Sequence, residues 1–596
     1  MPLLSSRLSV SEKKSGGEDV HDKTALSSPT IGRLQYVAEA GGNDVPSTYQ
    51  MATGAPVEEH SPLGYNVGPV TIIFLNISMM IGAGIYSTRE SVQVSLLWRP
   101  YAEYVQASSV LGGTGSVGLS LLYWVLGGVI SLSSAAVYLE FTSYFPSRSG
   151  AEVVYLEQAF PYPRFLIPTT YAMQKVIMSF SSSNCIVLSN YLFATAGRTG
   201  TNWQIKGVAL AGYTVVFLAV CFHTKYSYYL SNVIGVVKMM TLTFVAIAGL
   251  VVLGGHTRVL NPQAHFANAF EGAVTPYGAT IALYRIIYSY GGWSNAFNVT
   301  NEIKNPVAQI KRSGTISIVT VTVLYVLANI AYVAAGKFTF TSLSTDMDEM
   351  LMISCNIQWA RRPSRIRFFT AVFGESRAVE GLNLLIALSS FGNLLAAMLG
   401  SARVLRECGR QGVLPWTRFW VSTKPFKTPL GPYLVDWGLT VIVILALSAG
   451  DAFNFVADLA FYPTAAFSTM AAVGVYLVRW WRRKANLPKP QFQAWHIVIV
   501  FNILVHVYLL VMPWYPPAGG KADVSFWYGT YIATGLAILA ACGAYYGVWV
   551  HLAPRWRGYE LRQQAVDFGD GAQASRVVKV LAADVAEWDA THGPGR

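Results

Sequence analysis

The sequence predicts an all-α membrane protein of twelve transmembrane helices, the first and sixth of them discontinuous. Three observations predict it. Charged residues make up 12% of the 596-residue chain, about half the roughly 25% usual in soluble domains. Twelve stretches are apolar over the length a bilayer crossing needs, about 20 residues. Glycine pairs interrupt two of those stretches, the first and the sixth.

The stretches lie near 66–88, 117–145, 165–195, 205–223, 226–255, 276–301, 312–336, 378–406, 433–449, 452–479, 493–513 and 525–552; they are called spans 1 to 12 below. Backbone groups in a bilayer must be satisfied within their own segment, so spans this apolar read as helices. No ten-residue alternation suggests a barrel. Ahead of them, residues 1–64 are rich in Ser, Gly, Lys and Glu with no long apolar run. A disordered cytoplasmic tail without a secretory leader is expected there, and a second polar cytoplasmic tail over 553–596. The five cysteines (Cys185, Cys221, Cys355, Cys408 and Cys542) form no CxxC pair and show no ligand spacing. They read as small apolar helix residues, and no metal or cofactor is expected.

The net charge of +12 does not point to nucleic acid, because Lys and Arg sit between the apolar runs, where they orient a membrane protein. With the N-terminus inside, the inner loops carry Arg148, Arg164, Lys225, Lys304, Lys311, Arg312, Arg406, Arg410, Arg418 and the run Arg479–Lys484. The loop between spans 7 and 8, with Arg361, Arg362, Arg365, Arg367 and Arg377, departs locally from this pattern. Both termini are therefore expected in the cytoplasm. Two stretches, 89–109 and 351–368, fit no clean boundary. They read either as insertions in outer loops or as untranslated sequence carried into the reading frame.

The breaks carry the chemistry. Span 1 contains Ile81-Gly82-Ala83-Gly84-Ile85-Tyr86, and span 6 contains Tyr288-Ser289-Tyr290-Gly291-Gly292-Trp293. Each glycine weakens a helix by about 1 kcal/mol. Either pair alone could serve close helix packing. Interruptions at matching places in two halves point instead to an inverted repeat with a site at the midplane. An unwound helix bares N–H groups on one side and C=O groups on the other. The first suit a carboxylate and the second an ammonium, so a zwitterion can be held without a side-chain ion pair. Tyr86, Tyr288 and Trp293 flank the breaks and can wall an apolar side chain.

These residues also carry a resemblance. IGAGIYST together with YSYGGWSNAFNVTNEIKNP is similar to helices 1 and 6 of L-type amino acid transporters, in the amino acid–polyamine–organocation superfamily. More narrowly, YLEFTSYFPSRSGAEVVYLEQAF, FGNLLAAMLGSARVLRECGRQGVLP and DAFNFVADLAFYPTAAF resemble fungal high-affinity methionine permeases. The resemblance covers roughly 64–560. It implies a five-plus-five inverted repeat, with the first repeat at 65–255, the second at 276–479, and two helices added at 493–552. It implies further that Gly82, Ala83 and Gly84 lie at the carboxylate, and Tyr288, Tyr290 and Gly291 at the amine and the gate. Relatives often have Ser where this chain has Ala83, which leaves carboxylate binding to backbone N–H groups. They usually have Pro where it has Arg89.

Charges at bilayer depth are usually functional. Lys238, in span 5, matches a lysine that in such relatives lies near helices 1 and 8 in place of a sodium ion. It could hold helix 1 unwound and exchange a proton during transport; a purely structural cation is the plainer alternative. Ser389 and Ser390 in span 8 are placed to face it, or to pack. Glu140 reads as a helix–helix contact, and Glu302 with Lys304 as a gate or packing contact. No GxxxxGK[ST], HExxH or GxSxG occurs, so neither a nucleotide-driven pump nor an enzyme is expected. The expected function is secondary active import of neutral amino acids, foremost methionine, across the plasma membrane by proton symport. An exchanger of broader specificity and a non-transporting sensor are the alternatives. Lys13, Lys14 and Lys23 in the first tail are candidate ubiquitin sites for endocytosis.

Overall fold

The computed structural model describes residues 30–31, 34–39, 42, 48–82, 109–198, 200–255, 261–335, 377–446, 459, 461–516, 527, 529–569 and 571–592. Among them, eight helices are long and apolar enough to cross a membrane. The shorter apolar helices Pro69–Met80 and Leu430–Ala446 occupy spans 1 and 9. Each of the twelve predicted stretches holds a helix, which is consistent with twelve crossings. The stretches 89–108 and 351–368 lie outside the described residues, as does most of the break between spans 9 and 10.

Local sequence sets the helix starts. Pro69 and Pro276 open spans 1 and 6 at the first turn, where proline costs no hydrogen bond. Thr275 caps span 6 by accepting from Gly278 N, and Thr201 with Gln204 forms a capping box on span 4. Span 5, Thr224–Leu253, shows what each face meets. Val233, Val236, Met240, Phe244, Ile247 and Val251 are exposed at helical spacing, while Ile234, Lys238, Thr241, Leu242 and Val245 are buried opposite. An exposed apolar stripe on an apolar helix is a lipid-facing surface. Span 3, expected as one helix, is two: Leu166–Ile177 and Ser182–Thr195. The serine run at 179–183 lies at the interruption, where its side chains compete for backbone bonds.

Packing between spans follows a repeat of inverted sense. Span 1 packs on span 7, and span 6 on span 2; span 7 packs on span 5, and span 2 on span 10. Exchanging each span with the one five places on converts one pair into the other. Five helices per unit, an odd number, forces the second unit to run in the opposite sense.

The expectation that all of 1–64 is disordered is corrected. Thr48–Met51 pairs antiparallel with Leu34–Glu39, and the segment that follows is tied to the spans through Glu58 on Arg406 and Val67 N on the Glu302 carbonyl. The C-terminal tail also folds. Tyr559–Asp567 and Gln573–Leu581 form an antiparallel hairpin, followed by the helix Val585–His592. Both tails reach one buried ion network at the C-terminal end of span 8. Arg406 binds Glu58 of the first tail at 2.5 Å, and Arg148 binds Glu407 at 2.8 Å and Glu157 at 2.7 Å. Arg410 binds Glu407 at 2.6 Å and donates to the Gln573 carbonyl at 2.8 Å. Breaking one partner of such a pair typically costs about 3–5 kcal/mol, because the other charge is left buried.

Candidate substrate site

The second predicted break lies within the described residues, and of the first they show where the helix ends. The helix of span 1 ends at Met80. Ile81 leaves helical geometry (φ −76°, ψ 76°), and Gly82 N–H turns back to the Met80 carbonyl at 2.8 Å. Ala83, Gly84 and Tyr86 lie outside the described residues. In span 6 the helix Pro276–Ser289 stops, and a 3-10 turn, Asn295–Glu302, resumes beyond it. Between them Gly292 takes φ +118°, a region closed to side chains, and a Cβ there would stand 2.6 Å from Met79 of span 1. The two breaks therefore touch, and only glycine permits the approach.

The first break ends in carbonyls that a helix C-terminus leaves orphaned. Side chains from three spans take them. Lys238 Nζ donates to Ser78 O at 2.6 Å and to Ile81 O at 3.0 Å. Asn393 Nδ2 of span 8 donates to Met79 O at 2.5 Å, and its own Oδ1 accepts from Asn184 Nδ2 of span 3 at 2.9 Å. Ser389 Oγ donates to Ile81 O at 3.3 Å. Tyr325 Oη of span 7 lies 2.6 Å from Met80 O and 2.9 Å from Ser289 O, so it stands between the two broken ends. Asn76 Oδ1, one turn earlier, accepts from Ala296 N just past the second break at 3.0 Å. Lys238 is buried, with no carboxylate paired to it among the described residues. Its charge faces the negative end of a helix dipole instead.

The predicted residues thus divide. Ile81, Gly82, Lys238 and Ser389 meet at the first break. Ser390 does not join them: it is buried, and its hydroxyl has no hydrogen-bond partner among the described residues. At the second break Gly291 is exposed, while Tyr288 and Trp293 are partly buried. Trp293 sets its edge to Tyr138 of span 2, with ring centres 4.9 Å apart. Tyr290, expected at the amine and gate, is buried. Its hydroxyl donates to the Trp124 carbonyl of span 2 at 2.8 Å, and its ring packs on Tyr325. It anchors the turn to the scaffold and leaves the open backbone to Gly291.

Beyond the second break the chain is held by buried contacts. Glu302 pairs with Arg403 of span 8 at 2.9 Å and accepts from Tyr228 at 3.0 Å, while its carbonyl accepts from Val67 N at 3.3 Å. Lys304, expected beside it, is exposed. Glu140 is buried against Arg479 of span 10 at 2.7 Å, the helix–helix contact expected for it. Asn76, Asn184, Tyr325 and Asn393 are site residues that the sequence reading missed. The three asparagines interrupt apolar runs, which is a readable signal of polar work at bilayer depth.

Comparison with known proteins places this geometry. The amino acid permease family matches residues 67–538. The chain is similar to the high-affinity methionine permease of Saccharomyces cerevisiae, with 30% identity over 93% of this chain and 90% of that protein. It is similar to the low-affinity methionine permease of the same yeast at 24% identity, over 87% and 88% of the two chains. It also resembles the b(0,+)-type amino acid transporter 1 of Mus musculus, at 27% over 69% and 78%. A many-helix membrane fold, two broken helices in contact and these likenesses lead to one conclusion: the chain is a transporter and not an enzyme, and it belongs to the amino acid permease family.

Proposed function

We propose that the protein imports neutral amino acids, methionine foremost, across the plasma membrane by proton symport, with both termini in the cytoplasm. The observation that carries the reading is the Lys238 ammonium on Ser78 O and Ile81 O at the end of the first broken helix. Charged, it closes that end and holds the break. Neutral, it keeps lone hydrogen bonds but loses the attraction to the helix dipole, and the first helix is freer to swing. A proton carried on Lys238 would then be coupled to the movement that alternates access.

Substrate would lie across the two breaks. Because protein donors already occupy the carbonyls of residues 78–81, the ammonium falls to the Gly291 side of span 6. Gly82 N–H is turned onto Met80 O, so the carboxylate falls to the backbone N–H groups of Ala83 and Gly84. Tyr86, Tyr288 and Trp293 would enclose the side chain. The likeness to two methionine permeases supports methionine as substrate. Three lysines of the first tail, Lys13, Lys14 and Lys23, would serve ubiquitin-dependent endocytosis.

Uptake of labelled methionine by cells making the protein, with and without a proton uncoupler, tests the reading. Uncoupler-sensitive uptake supports symport. Uptake that ignores the uncoupler and rises with internal amino acid means exchange, and ligand binding without flux in proteoliposomes means a sensor. Tags on each terminus that antibody reaches without permeabilisation would overturn the orientation.

A further inference from the structure

Where span 12, the loop after span 8 and the C-terminal hairpin meet, a groove of about 490 Å³ opens to the surface. Its walls differ in character. Tyr545 and Trp549, one turn apart on span 12, stack with ring centres 6.4 Å apart, and Phe568 of the hairpin adds a third ring. Arg418 and Arg576 line the same groove from the loop and the hairpin. Both are exposed, and neither side chain makes an ion pair or hydrogen bond among the described residues. Trp416, at the rim, is 82% exposed and sits in left-handed geometry (φ +55°), a costly conformation for a tryptophan held out from the protein.

Two unpaired guanidinium groups above an aromatic wall, at the end of a lipid-facing helix, match one ligand chemistry. A phosphodiester takes the arginines, and acyl chains run down the apolar face of span 12, where Leu536, Val548 and Leu552 are exposed. Tryptophan and tyrosine rings are at home at the headgroup level between the two. We infer that this groove binds an anionic phospholipid of the leaflet on the side of the two tails, and that the bound lipid joins the hairpin to spans 8 and 12. Charge complementarity selects a headgroup of net negative charge, because a zwitterionic one brings no net charge to set against the two arginines.

The site is tested on the full-length protein, purified and delipidated in detergent. Phosphatidylserine and phosphatidylcholine are titrated in parallel and retention is read by native mass spectrometry, with thermal unfolding as a second readout. Preferential retention of phosphatidylserine is expected, with a rise in unfolding temperature. The double variant Arg418→Gln, Arg576→Gln should bind about tenfold to thirtyfold more weakly, the worth of two basic residues at an anionic surface. Lys489→Gln, an exposed charge on the same side of the molecule, should leave retention unchanged. Trp549→Ala should weaken retention of the lipid but not of its acyl-free headgroup. Equal retention of the two lipids, an unaffected double variant, or inorganic phosphate stabilising as strongly as the lipid would each overturn the assignment. Both arginines lack protein partners, so a double variant that is misfolded without lipid would overturn it as well.

Discussion

The two broken helices use one device and finish it differently. At the first break every carbonyl from Ser78 to Ile81 receives a side-chain donor, from Lys238, Asn393, Tyr325 or Ser389. At the second, the backbone is turned by Gly292 and pinned by Tyr290, and Gly291 stays exposed. The first end is thus filled by protein, with one buried charge in it. The second leaves peptide groups open to a ligand. A pair of breaks need not be two halves of a symmetric pocket: here one is filled by the protein's own donors, and the other leaves Gly291 exposed, the difference on which the proposed binding rests.

Substitutions at the two glycines should separate these jobs most sharply. Gly292→Val forces a branched side chain into φ +118° and against Met79. Folded protein should be lost, read as absent surface expression. At Gly291 a Cβ would stand 2.9 Å from the Tyr288 carbonyl, which the exposed turn must shift to relieve, so Gly291→Val should reach the surface at a reduced level and fail to take up methionine. Normal uptake by Gly291→Val would break the division.

Lys238→Ala comes next. It strips the short ammonium contacts from Ser78 O and Ile81 O and leaves them only the long ones, Asn393 at 3.5 Å and Ser389 at 3.3 Å; an orphaned buried carbonyl costs about 1–3 kcal/mol. Uptake should fall by about tenfold or more, as a lost 1.4 kcal/mol would do, and what remains should ignore the uncoupler. Residual uptake that is still uncoupler-sensitive would take the proton off Lys238. Tyr325→Phe removes a donor without a charge, so uptake should drop less, by roughly threefold to tenfold, with uncoupler sensitivity kept. If it abolished that sensitivity too, the contrast between charge and plain hydrogen bond would dissolve.

The smallest effect lies far from both breaks. Asp589 of the last helix accepts from Arg562 at 2.9 and 3.0 Å, and that hydrogen bonding holds its carboxyl below the usual carboxylate range. A depressed carboxyl pKa gives a contact that is complete above the ordinary value, about 3.9, and is lost as pH falls through the lowered one. Asp589→Asn should therefore speed amide exchange in 585–592 at neutral pH, converge with the parent in acid, and leave uptake unchanged.

The spans were legible because apolar length is a one-dimensional signal, and the breaks because glycine pairs stand out in apolar runs. The ion network was not, since Glu58, Arg148 and Arg406 come from segments that only the fold brings together. The C-terminal hairpin was missed although Gly569-Asp570-Gly571 marks its turn, because its nine-residue strands alternate weakly. At the site, attention to ionisable residues found Lys238 but passed over Asn76, Tyr325 and Asn393, which do the same work without charge.

Tyr325 has one further consequence. A phenol carries a single hydrogen, yet Met80 O and Ser289 O both stand within its reach. At any instant the hydrogen points to one of the two, and Met80 O keeps the Gly82 N–H in either case. The halves of the molecule are thereby made rivals for one atom, and whatever shortens one contact loosens the other. Such an arrangement lets the two broken ends sense each other without any part of the scaffold having to bend.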